Sequence, residues 1–143
     1  MHEARISLGV VGTLLVAGCG GGGLPSQAIM LTPTVGTTSV MECLDQEAQK
    51  LGYRIIRIDR QDGVMVAERR DKNPDISRPR EYAGGDMITV NRMKQEENGV
   101  RPLAIVPSSY IMEWLANGSN QKTVKSRESV LGDAKALSER CRL

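Results

Sequence analysis

Asp59, Asp62, Glu68, Asp71, Asp75 and Asp86 crowd one stretch of this chain, and paired carboxylates are residues that could hydrolyse a glycan. That chemistry needs two acids converging in one cleft, with at least one poised near neutral pH. The first two have a simpler use. They flank the expected hairpin reversal, near Asp62-Gly63, where aspartate serves turn geometry and solubility. The alternating oxygen ligands of a calcium loop are missing. Ser108 and Ser109 follow Pro107, no lysine stands at a spacing that argues for a serine–lysine pair, and both read as turn residues. No P-loop pattern appears, and the sequence calls for no cofactor and no metal.

A second chemistry is suggested by Arg54, Arg57, Arg60, Arg69 and Arg70, with Lys72, Arg78 and Arg80 close by. A basic face of that kind would contact anionic lipid or a cell-wall polymer. The plain alternative is a solvated charged surface. Acids are interspersed, the formal net charge is only +2, and no aromatic ladder is present for stacking bases. Nucleic acid is therefore not expected as a partner.

Residues 14–23 read LLVAGCGGGG and set the expected address. Arg5 supplies a positive charge near the front, partly offset by Glu3, and residues 6–18 then run without a charged side chain. Such a run suits a signal-peptide core but falls short of the roughly 20 residues a bilayer-crossing helix needs. The small residues Ala17 and Gly18 stand just before Cys19.

Val16-Ala17-Gly18-Cys19 resembles the lipobox of bacterial lipoproteins, a likeness that covers the export segment alone. The resemblance implies a diacylglyceryl group on Cys19, cleavage between Gly18 and Cys19, and acylation of the new amino terminus, as by palmitate. In double-membrane bacteria, Gly20 rather than aspartate beside the lipidated cysteine implies delivery to the outer membrane, facing the periplasm or the surface. The alternative is that Cys19 is a buried cysteine of a small first helix. Each buried methylene contributes about 0.8 kcal/mol, so one acyl chain holds reversibly and two or three hold firmly. Processing at Cys19 would remove His2, the only histidine, and with it any Ser-His-Asp triad or histidine-based zinc site.

The expected organisation is a signal peptide over 1–18, the lipidated cysteine and a Gly/Pro/Ser/Thr linker over 19–38, and a single small domain over 39–143. Phenylalanine is absent and Trp114 is the only tryptophan, so the core must come from Leu, Ile, Val, Met and Ala. Ser39 and Glu42 fit a capping box, and Met41, Leu44, Ala48 and Leu51 recur at helical spacing up to Gly52. A helix over about 40–51 follows. Residues 53–59 and 64–69 form a hairpin, 73–79 a loop, and 86–93 and 100–106 two further strands joined by a polar turn. Residues 109–116 suit either a fifth strand or a short helix, and 117–121 read as loop. Val130, Ala134, Leu137 and Cys141 mark a final helix.

The expected fold class is therefore α+β, an antiparallel sheet of four or five strands with N- and C-terminal helices packed on one face. That layout brings Cys43 and Cys141 together, and two cysteines left after lipidation allow one disulfide. The alternative is two inert buried thiols. Helix-grip domains of some envelope lipoproteins have a similar layout, a likeness that carries no function. The leading expectation is a membrane-anchored, non-enzymatic interaction or structural module with an envelope-protein or cell-wall partner. A histidine-free carboxylate hydrolase and a basic-face binder of anionic lipid or polymer stand as alternatives.

Overall fold

Residues 27–72, 82–96 and 98–142 are described by the computed structural model. The export segment with Cys19, the loop expected over 73–79, and Asp75, Arg78 and Arg80 lie outside these residues.

The first helix, α1 (Thr37–Lys50), starts earlier than the capping box suggests. Gly36 is the N-cap, and its carbonyl accepts from the amides of Ser39 and Val40 at 3.1 and 3.4 Å. Ser39 thus sits inside the first turn and makes no side-chain cap. Val40, Met41, Leu44 and Ala48 are buried along one stripe. The end is a Schellman motif. The Gly52 amide donates to Gln49 O and the Tyr53 amide to Ala48 O, while Gly52 takes the positive φ of 88° that glycine tolerates best. This closure turns Tyr53 inward, where it is 3 % exposed.

Next come β2 (Arg54–Asp59) and β3 (Val64–Lys72), an antiparallel pair; β1 (Ile29–Leu31) precedes α1. A bulge at Ile56 resets the register, so that Ile55 opposes Ala67 and Ile58 opposes Met65. Two isoleucines three positions apart therefore face the same core, which a regular strand with period two would forbid. At the hairpin, Asp59 Oδ1 accepts from the amides of Gln61 and Asp62 at 3.1 and 3.0 Å. Asp59 organises the turn.

The sheet continues through β4 (Tyr82–Arg92) and β5 (Leu103–Leu115), and its order is β2-β3-β4-β5. Residues 109–115 belong to β5, so the ambiguous stretch is strand. It carries Ser108 and Ser109 inside a ladder rather than in a turn. The outer edge of β5 is shared by β1, paired with 103–105, and β6 (Gly118–Val124), paired with 109–115. Pro107 falls between those two pairings, and its carbonyl accepts from Ser126 Oγ at 3.3 Å, so its missing N–H leaves no ladder bond unmade. Two strands exceed expectation: β1 lies in the stretch read as linker, and β6 largely replaces the loop expected over 117–121.

The final helix, α2 (Glu128–Arg140), lies with α1 on one face of the six-stranded sheet, giving the expected α+β class. One core joins Met41 and Leu44 of α1 to Met65, Ile88 and Ile105 of the sheet and Leu137 of α2. Each such side chain contributes about 1.5–3 kcal/mol on burial. Cys43 and Cys141 form a disulfide with a Cα–Cα distance of 5.6 Å, tying α1 to the end of α2.

Candidate functional site

Among the described carboxylates of the group, Asp86 is the most buried, 2 % exposed on the helix-covered face of β4. The register sets Arg69 of β3 on one side of it and Ser109 of β5 on the other. Arg69 Nη2 donates to Asp86 Oδ2 at 3.1 Å, and Ser109 Oγ donates to Oδ1 at 2.8 Å. Arg127, the N-cap residue of α2, adds Nε to Oδ1 at 3.0 Å and points its two terminal nitrogens at Asp71, at 3.1 and 2.9 Å. A forked pairing of this kind is among the strongest a guanidinium makes. Its bond to Asp71 is the largest influence holding the Arg127 pKa above its ordinary value.

Arg69 reaches further. Its Nη1 donates to Leu51 O at the end of α1 at 2.9 Å, and its Nη2 lies 2.8 Å from Asp133 of α2. The guanidinium also sits 4.5 Å above the centre of the Tyr53 ring, a cation–π contact. Tyr53 Oη donates to Asp133 Oδ2 at 2.8 Å. Burial, then that hydrogen bond, push the Tyr53 pKa well above the usual phenol value. Burial pulls the Arg69 pKa down, yet the bond to Asp86 and the fields of Tyr53 and Asp133 leave it raised. No buried side-chain nitrogen or oxygen lacks a partner among the described residues.

Chemically, this is a closed ion network that clamps both helices to the sheet. Asp71 and Asp86 do converge, but around Arg127. Glu68 lies on the other face, accepting from Tyr110 Oη at 2.5 Å and Arg70 Nε at 3.1 Å, and Asp59 serves the hairpin. Among the described residues, no three His, Cys, Asp or Glu side chains gather to hold a metal ion, and no helix is long and apolar enough to cross a membrane.

Beside the network lies a groove of about 530 Å³ between α1 and β2, lined by Asp45, Gln49, Tyr53, Arg54, Ile55 and Ile58. Asp45 is held by Gln49 Nε2 and Arg60 Nη2, each at 2.7 Å. The remaining lining is Tyr53, Ile55 and Ile58 together with Arg54, and one side is the outer edge of β2.

The five arginines singled out from sequence do not form one face. Arg69 belongs to the network, Arg60 to Asp45, and Arg70 to Glu68, with Arg54 a looser neighbour of Glu68 at 3.6 Å. Arg57 is exposed and pairs with no acid among the described residues. Sequence reasoning missed Arg127, Asp133 and Tyr53 as network members. For Tyr53 a signal existed, since the residue after a helix-terminating glycine commonly packs back on the helix. For Arg127 and Asp133 none did, because their partners lie on distant strands. No protein-family model and no curated protein sequence matches the chain.

Proposed function

We propose that this chain is a lipid-anchored lipoprotein of the bacterial cell envelope, held through Cys19, whose mature domain is a non-enzymatic interaction module for another envelope protein. The observation that carries it is the apolar run ending at small residues and Cys19, followed by a glycine leash. The disulfide between Cys43 and Cys141 supports it, because such bonds persist in oxidising compartments outside the cytosol. The non-enzymatic part draws on the occupation of Asp71 and Asp86 by arginines and a serine, which leaves their lone pairs committed to structure. Gly20 beside Cys19 supports outer-membrane delivery.

Labelling cells that express the full chain with an alkyne-tagged palmitate tests the anchor. Label should be incorporated into the wild-type protein in the membrane fraction. Cys19→Ala should lose the label and the membrane attachment together. Unlabelled wild-type protein, or label that survives in Cys19→Ala, would overturn the proposal.

A further inference from the structure

The two ends of the sheet are finished differently. The outer edge of β5 is covered by β1 and β6, whereas the outer edge of β2 pairs with no strand among the described residues. An unpaired edge is a template for a further strand, and proteins that avoid this shorten it, bend it or charge it. Here the bulge leaves Ile56 at 49 % exposure, and the groove runs along that edge with α1 as its far wall. An extended segment laid beside β2 would send alternate side chains into the groove and the others onto the open face.

We infer that the groove between α1 and β2 takes an extended peptide segment with alternating apolar and acidic residues, added as a strand to the edge of β2. The groove-facing half meets Tyr53, Ile55 and Ile58, which call for apolar side chains. The open-face half meets Arg57, opposite Val66 in the ladder, while Arg54, opposite Glu68, also borders the groove. Arg57 has no acid partner among the described residues, and the Arg54 side chain is 66 % exposed beside a Glu68 already bound by Tyr110 and Arg70. Opposite charges facing one another across paired strands are stabilising, and like charges are not. A second copy pairing antiparallel through the same edge would set these arginines against each other, so the edge is charged against self-association. The inference rests on the interaction-module proposal and names its surface and partner chemistry.

The test uses the full mature protein purified from membranes in detergent, isotopically labelled, and two capped ten-residue peptides. One peptide alternates valine and glutamate, the other valine and lysine. The valine–glutamate peptide should shift the amide resonances of residues 54–59 and slow their hydrogen exchange, and the valine–lysine peptide should not. Arg57→Glu, at an exposed position without an ion pair, should weaken the first peptide roughly fivefold and admit the second. Absence of binding, equal binding of both peptides, or shifts centred on β6 or the open face overturn the inference. Protection of β2 amides that grows with protein concentration alone overturns it too, in favour of a second copy. Crosslinks to an envelope protein from another face, with Cys19 acylated, would then leave the interaction-module proposal standing, so the two fail separately.

Discussion

Reducing the disulfide should remove a large share of the domain's stability. Cys43 and Cys141 are 98 residues apart, so the bond closes a loop of nearly the whole domain. In the chain-entropy account, a loop of that length restricts the unfolded chain by about 4.7 kcal/mol. Small domains are stable by about 5–15 kcal/mol in total, so the reduced protein should sit near the edge of folding. The ion pair between Arg140 and Glu47, at 3.2 Å, also links the two helices but is too exposed to substitute for the bond. Because Cys141 is fully buried, reduction is done in denaturant and the thiols are kept reduced during refolding, without alkylation. Urea unfolding followed by circular dichroism should then show a midpoint lower by roughly 2–5 M, for slopes of about 1–2 kcal/mol per M. Oxidised and reduced proteins within about 1 kcal/mol of each other would refute the entropic reasoning.

Asp86→Ala should cost about 3 kcal/mol in urea unfolding, the lower end for breaking a buried pair, because Arg69 and Arg127 keep some solvent contact; a change within 0.5 kcal/mol would contradict the network's role. Gly85→Ala should destabilise by about 1–3 kcal/mol, since a Cβ there would fall 2.6 Å from Arg69 O and 2.7 Å from Tyr110 Oη. Gly99→Ala, with nothing within 4 Å but a φ of 78°, should cost only about 1 kcal/mol in the same assay. Tyr53 has a raised pKa in the folded state, so its contribution is complete below about pH 10 and declines as pH rises further. Ultraviolet titration should accordingly show Tyr53 ionising only as the domain unfolds, and Tyr53→Phe should flatten stability above about pH 10.

Periodicity made most of the fold legible. The stripe Val130, Ala134, Leu137, Cys141 located α2 and placed Cys141 inward, and with Cys43 beside the stripe of α1 it foretold the disulfide. The strands β1 and β6 were hidden for different reasons. Ile29–Leu31 is too short to display a period, and Gly118–Val124 is nearly all exposed, so no apolar alternation marks it. The start of α1 was misplaced because Ser39 and Glu42 have the letters of a capping box, while the chain caps on Gly36. The ion network was invisible from spacing, since Asp86 meets Arg69 and Arg127, 17 and 41 residues away, through strand register and helix docking. Charge type alone could not tell Arg69, clamped beneath the helices, from Arg57, free on the open face.

The most direct test of the central proposal is the intact mass of the protein recovered from its native membrane, taken with and without reduction. The expected mass is that of a chain beginning at Cys19 with added acyl groups, with a gain of about two daltons on reduction for the single disulfide. A chain that retains residues 1–18 or carries no acyl group would contradict the anchor and remove the basis for placing the domain in the envelope.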